Sequence, residues 1–270
     1  MNTPGGKSYE ALDRPEILRV LFYPRPEWGY PDRGAFEPVL IPVGGDVVVG
    51  GRFHPSRKEG PNLLFFHGNG EIVADYDDMA PLFTRRGMNL LAVDYRGYGR
   101  STGTPSLASM MADSHAVLTF ARDWLEKNGH TGPLVVMGRS LGSASALELA
   151  SGHPDEIDGL IIESGFAWIG PLLALMGFRL EFFGLSEEDG PENLRKIGTF
   201  KRPTLVIHAE FDHIIAHREG QALYDASPAA VKRMLTIEGA NHNDIFYQGL
   251  DRYLDAVEWL ANEAAAARNK

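Results

Sequence analysis

The sequence predicts an α/β fold: a mostly parallel sheet of about eight strands, covered by helices on both faces, with a small helical lid insertion. Three observations carry this. Short, fully apolar segments alternate with helix-patterned segments along most of the 270 residues. One such segment, Leu134-Val135-Val136-Met137, runs into Gly138-Arg139-Ser140-Leu141-Gly142 and then into the alanine-rich stretch Ser143 to Ala150, a strand, a tight turn and a helix. An apolar fraction of 44% with 23% charged residues is that of a globular chain with a full-sized core. The length suits a single domain over 1–270, with the insertion at 165–201 inside it.

The elements follow in order. Residues 1 to about 35 are rich in proline and charge, with Pro24, Pro26 and Pro31 close together, and predict an irregular lead-in on the surface. The β-rich runs 36–41 and 46–53, separated by Gly44-Gly45, predict an antiparallel hairpin at the sheet edge. Strands are then predicted at Asn62–Phe66, Asn89–Val93, Leu134–Met137, Leu160–Ile162, Thr204–Ile207 and Arg233–Ile237. Helices are predicted near 76–86, 107–127, 141–150, 217–226 and 250–265. Ser164 to Arg202 is too long for a structureless loop in a compact domain. Its Leu172, Leu173, Leu175, Met176, Phe178, Phe182 and Phe183 predict one or two short helices forming a lid over an acyl-binding cleft.

Composition narrows the function. A formal net charge of −10 disfavours nucleic acid, whose phosphates need clustered Lys and Arg, and anionic lipid for the same reason. With no cysteine, disulfides, thiolate metal sites and a thiol nucleophile are excluded. Met1 to Glu10 is polar and lacks the apolar run of a signal peptide, and Arg179 and Glu181 interrupt the longest apolar stretch, Phe166 to Leu185. The expectation is a cytoplasmic chain without a stable membrane anchor. Oligomeric state is not readable.

The strongest chemical signal is the glycine-flanked serine. Glycines at 138 and 142 let the backbone turn sharply and lift the Ser140 hydroxyl above the sheet. A serine hydroxyl needs a base, and the base needs a carboxylate to fix its tautomer. His242, in Gly239-Ala240-Asn241-His242, follows the last strand, and Asp212 follows strand Thr204–Ile207. Glu163, after Leu160–Ile162, is the rival acid, or a brace. A developing oxyanion needs two N–H donors: the Leu141 amide beside the serine, and the Asn69 amide in His67-Gly68-Asn69-Gly70, with Gly70 the alternative.

Together with Asp94-Tyr95-Arg96-Gly97-Tyr98-Gly99-Arg100-Ser101 and His208-Ala209-Glu210-Phe211-Asp212, these motifs resemble the α/β-hydrolase superfamily from about residue 36 to 262. The nearest resemblance is to the branch of alpha/beta-hydrolase-domain-containing proteins, with its H-G-N loop and D-Y-R-G-Y-G-x-S turn. The resemblance implies hydrolysis of a small-molecule acyl ester or thioester through an acyl-enzyme, with no cofactor and no metal. An amidase or peptidase would use the same groups, as would a perhydrolase. A non-catalytic binding protein on the same fold is the reading from another class.

The other histidines and glycines read as structural. His213 and His217 are four apart but lack a third ligand at sensible spacing, so metal binding is not expected. His67 and His208 are expected to be buried hydrogen-bonders, and Asp94 to Ser101 a rigid support turn whose Arg96 holds an unnamed carboxylate. Gly68-x-Gly70 follows a strand but lacks the third glycine and the lysine of nucleotide-binding loops.

Overall fold

The computed structural model of the chain describes residues 8–28 and 36–268. Eight strands form one sheet: β1 (Glu37–Gly44), β2 (Val47–His54), β3 (Asn62–Phe66), β4 (Asn89–Val93), β5 (Leu134–Arg139), β6 (Gly159–Glu163), β7 (Thr204–Ala209) and β8 (Lys232–Ile237). Their order is β1-β2-β4-β3-β5-β6-β7-β8. The β1–β2 hairpin joins β4 antiparallel, and β4 through β8 run parallel. This is the predicted α/β architecture.

The central strands are apolar on both faces because both faces are covered. Leu64, Phe66 and Val136 point into one core layer, while Leu63, Phe65, Val135 and Met137 point into the other. Helices α3 (Leu107–Lys127) and α4 (Gly142–Gly152) close the first layer. Buried Leu107, Met110, Met111, Val117, Leu118, Ala121 and Leu125 make one stripe along α3 at helical spacing. Ser106 caps its start, and Ser109 returns the hydrogen bond. The second layer is closed by α2 (Ala80–Thr84) and the C-terminal helix Ile245–Arg268, which breaks at Gly249. That break explains why the periodic pattern reads as a helix only from about 250. A Cβ at Gly249 would lie 2.6 Å from Ile237 Cγ2, so only glycine lets the helix pack so close. The helix predicted near 76–86 is shorter than expected: a 3-10 turn at Val73–Tyr76, then the five residues of α2.

The lead-in departs from the sequence expectation. It holds a 3-10 turn at Glu10–Leu12 and helix α1 (Pro15–Leu21), which bury Leu12, Ile17 and Leu21 in the first layer. Proline at the first helical position, where its missing N–H costs nothing, starts α1. Seven residues are too few for the helical period to show among charges. Met1 to Lys7 of the polar leader, and Pro31, lie outside the described residues.

Chain order makes a switch point. From β3 the chain crosses to β4 on one side, then passes back over β3 to β5 on the other. Ligands of open parallel sheets bind at such a point, beyond the strand C-termini. Phe66 and Gly138 are register partners there, so the loops after β3 and β5 stand side by side. The segment after β6 carries α5 (Ile169–Leu175), 3-10 turns at Leu180–Phe183 and Glu187–Asp189, and α6 (Asn193–Ile197); α7 (His217–Ala226) follows β7. Among the described residues, no helix is long and apolar enough to cross a membrane.

Candidate active site

Ser140 caps the C-terminal end of β5 with φ +50°, a left-handed conformation that is strained for any side-chain-bearing residue. Its surroundings hold it there. The Ser140 N–H donates to Glu163 O at 2.8 Å, and the Ser143 hydroxyl and N–H donate to Ser140 O at 2.6 and 3.0 Å. The turn is tight enough that a Cβ at Gly138 would meet Gly142 O at 2.4 Å.

The structure brings Ser140, Asp212 and His242 together from three loops. His242 Nε2 lies 3.0 Å from Ser140 Oγ. His242 Nδ1 lies 2.7 Å from Asp212 Oδ2. With Nδ1–H donating to the carboxylate, Nε2 is left as the acceptor for the serine proton. Asp212 is fixed in turn, because its Oδ1 accepts the Ile214 and Ile215 N–H groups at 3.0 and 2.8 Å. Burial alone would raise the Asp212 carboxyl; the His242 hydrogen bond and charge, with the Ile215 N–H, outweigh it and hold the group below the ordinary aspartate value. Asn241 and Asp244 close the histidine loop through two 2.7 Å hydrogen bonds. The Gly239 N–H donates to Glu210 Oε2, tying that loop to the one bearing Asp212.

The Glu163 carboxylate hydrogen-bonds to other partners than His242. It is fully buried, with Oε1 accepting Arg139 Nη1 and Oε2 accepting the Tyr253 hydroxyl, both at 2.6 Å. The sequence also offers it as a brace for the cap, but its carboxylate instead ties Arg139 to Tyr253 of the C-terminal helix.

The loop after β3 sits beside Ser140. Its Gly68 N–H is used by Glu71 Oε2 at 2.7 Å. The Gly70 amide lies against the Tyr98 hydroxyl, whose pKa burial pushes up over the opposing pull of the Tyr23 and Gly70 N–H groups. Among the described residues, no protein acceptor takes the Asn69 or Leu141 N–H. The Asn69 side chain is locked: its Oδ1 accepts the Tyr98 hydroxyl and the Tyr23 N–H, both at 2.7 Å. Arg25 Nε donates to Gly70 O at 3.1 Å, so the N-terminal segment straps this loop.

The remaining candidates fall into support roles. His67 is buried between Gly68 O at 2.8 Å and Asp94 Oδ1 at 3.2 Å. Arg96 grips Asp113 with two hydrogen bonds of 2.6 and 2.7 Å, which supplies the carboxylate the sequence could not name. His208 is buried against Ile215 O, and His217 bonds Thr236 Oγ1, both at 2.8 Å. Among the described residues, no cluster of His, Asp or Glu could hold a metal ion.

Sequence reasoning did not single out Glu71, Arg139 as a side chain, Tyr98 or Tyr253. Glu71 accepts Arg139 Nε at 2.9 Å and the Tyr76 hydroxyl at 2.5 Å. Burial pushes its carboxyl up, but Arg139 and Tyr76 hold it down to about 2.

Residues 58–186 match the hydrolase family described as serine aminopeptidase, S33. The chain is 30% identical over 238 residues to an uncharacterized protein of Mycobacterium tuberculosis strain H37Rv, spanning 84% of this chain and 82% of that protein. It is 31% identical over 214 residues to the alpha/beta hydrolase domain-containing protein aho-3 of Caenorhabditis elegans, 76% of this chain but 59% of that protein's length. Among solved structures, a Pyrococcus furiosus esterase superimposes with a TM-score of 0.73 at 17% identity, covering 88% of this chain and 98% of that chain. At that identity the likeness is one of fold.

Proposed function

The chain belongs to the α/β-hydrolase superfamily and is a hydrolase, and on that premise we propose that it cleaves carboxylic ester or thioester bonds through a Ser140–His242–Asp212 triad. The observation that carries this reading is the unbroken hydrogen-bonded chain from Ser140 Oγ through His242 to Asp212, at 3.0 and 2.7 Å.

In the proposed reaction, Ser140 Oγ attacks the acyl carbonyl while His242 Nε2 takes its proton. Asp212 stabilises the imidazolium that forms. The Leu141 and Asn69 amides donate to the tetrahedral oxyanion, a contribution of about 3 kcal/mol for each donor of this kind. His242 then protonates the leaving oxygen or sulfur. Water, deprotonated by the same nitrogen, attacks the acyl-enzyme and releases the acid. No step calls for a cofactor or a metal. The substrate is a small acyl ester or thioester, and the apolar insertion over 165–201 acts as a lid that favours a short to medium acyl chain. The setting is the cytoplasm, an assignment supported by the absence of cysteine.

A fluorophosphonate with mass mapping tests this. Label on Ser140 in the wild type, lost in His242→Ala, is the expected result. An unlabelled wild type with no turnover of any acyl ester would refute the reading and leave a binding protein on this fold. An acyl-chain series of esters and thioesters then ranks substrates. The aminopeptidase description of the matched family favours one second reading, an amidase or peptidase on the same groups. Matched ester and amide substrates separate the two by kcat/KM.

A further inference from the structure

Arg139 occupies the variable position before Ser140, yet it is among the most engaged side chains near the site. Its side chain is 9% exposed. The guanidinium sends one donor into each of three segments: Nε to Glu71 Oε1 at 2.9 Å, Nη1 to Glu163 Oε1 at 2.6 Å, and Nη2 to His242 O at 3.0 Å. Those segments are the loop of Asn69, the strand end that holds the Ser140 N–H, and the loop of His242.

Glu71 passes the connection on. Its second oxygen accepts the Gly68 N–H, one residue before Asn69. Gly68 is confined there, since a Cβ on it would lie 3.0 Å from Glu71 Oε2. Glu163 does the same on the other side, its backbone oxygen taking the Ser140 N–H and its carboxylate the Tyr253 hydroxyl.

Such a cluster is a poor source of stability. The Glu163 carboxylate and the guanidinium lose nearly all their water and Glu71 part of it, and well-packed apolar side chains of equal volume often do as well or better. What a guanidinium supplies is a rigid planar fork, whose donors fix their acceptors relative to one another. Here the three acceptors belong to the segments that must agree in position for acyl transfer.

Resting on the serine-hydrolase reading above, we propose that Arg139 is a positioning residue and Glu71 its relay, together setting the Asn69 amide in register with Ser140 and His242. The pair touches neither substrate nor reacting atoms. Its effect falls on the oxyanion stabilised in the transition state, and so on kcat rather than KM.

The test uses Glu71→Ala, Glu71→Gln and Arg139→Lys with a soluble activated acyl ester, each scored for folding by near-UV circular dichroism. Glu71→Ala is expected to lower kcat about 10- to 100-fold, part of the loss seen when a donor is removed outright, with KM within about twofold. Glu71→Gln can keep an oxygen for the Gly68 N–H only by turning its NH2 group against the Arg139 Nε–H, so it too breaks the relay and is expected to fall with Glu71→Ala. Arg139→Lys keeps the charge without the fork and is expected to fall like Glu71→Ala; it carries the test alone should the alanine variant not fold. Wild-type kcat in any folded variant of the three overturns the proposal, as does a loss that appears in KM. Amide exchange across residues 67–71 gives a readout independent of turnover. It is expected to quicken in all three variants, and unchanged protection there also overturns the proposal. A wild type that neither labels at Ser140 nor turns over esters would instead sink the serine-hydrolase reading, while the exchange result still judges the network.

Discussion

Gly142→Ala sets two known effects against each other at one atom. Gly142 is the first residue of α4, and alanine there gains up to about 1 kcal/mol of helix propensity. An added Cβ would stand 2.2 Å from Phe66 O, 2.6 Å from Phe66 C and 2.7 Å from His67 O. All three are backbone atoms at the root of the loop bearing Asn69, so no side chain can swing aside. Relief requires α4 and the end of β3 to separate by roughly 1 Å, and overpacking of this kind costs about 1–3 kcal/mol or more. The clash wins, by about 1 kcal/mol or more. For a chain of this size that lowers Tm by at least roughly 2–4 °C. The same displacement opens the gap between Ser140 and the Asn69 amide, and a 1 Å misplacement costs about 100-fold in rate. Thermal unfolding and the fluorophosphonate labelling rate are the assays. Gly129→Ala is the matched control: φ is +70° and nothing lies within 4 Å of the added Cβ, so it pays only left-handed strain of about 1–2 kcal/mol and labels normally. A Gly142→Ala protein that melts at or above wild type, or labels at the wild-type rate, would refute the reasoning.

Three further outcomes are expected. Asp212→Asn keeps the shape of the site but lets His242 take the wrong tautomer, so kcat should fall about 10⁴-fold with folding intact; a loss under tenfold contradicts the acid role. Asn69→Ala strips the acceptor from the fully buried Tyr98 hydroxyl and leaves the Tyr23 N–H with the Tyr98 hydroxyl oxygen alone. It should lose about 1–3 kcal/mol in urea unfolding, and unchanged stability would show that the strap does not hold the loop. Glu71 and Glu148 are raised by burial but held down to about 2, from an ordinary 4.5, by Arg139 with Tyr76 and by His115 with Lys196. Because both folded values are depressed, their stabilisation is complete above pH 4.5 and is lost as pH falls from there towards 2, on the order of 3 kcal/mol each. Urea midpoints at pH 6 and pH 3 should differ less in Glu71→Gln and Glu148→Gln than in wild type; an identical pH difference in all three would count against this.

The parts of the fold legible in the sequence are those whose cause is local. Asn62–Phe66 and Asn89–Val93 appear at their observed limits because four apolar residues after an asparagine, bounded by glycine, proline or polar residues, suit a strand covered on both faces. Leu107–Lys127 appears because its stripe and its Ser106 cap lie within one stretch of chain. Helix α1 was not legible because it is only seven residues long and part of what anchors it is distant. Asp13, just before it, accepts the Leu107 N–H at 2.7 Å and lies against the Ala108 N–H, an anion set at the start of α3 from 94 residues away. Nothing in the spacing of residues 8–28 announces that partner.

The site divides the same way. Ser140, Asp212, His242 and the Asn69 loop are marked by strand ends and by glycines next to chemically apt residues. The Arg139 network escaped because a G-x-S-x-G pattern leaves position 139 unspecified. A physical signal was present all the same. Arg139 and Glu163 each close an otherwise apolar strand, where a charge cannot stay unpaired without a cost of several kcal/mol. In a parallel sheet those two strands are neighbours, and the structure makes Arg139 and Glu163 register partners. Opposite charges ending two adjacent buried strands, one of them just before the nucleophile, therefore point to an ion pair beneath the site. Glu71 completes it from the loop after β3, which the switch point brings alongside. The third partner, the His242 carbonyl, is a backbone atom with no sequence signal, and only the folded chain could reveal that the same guanidinium reaches the base.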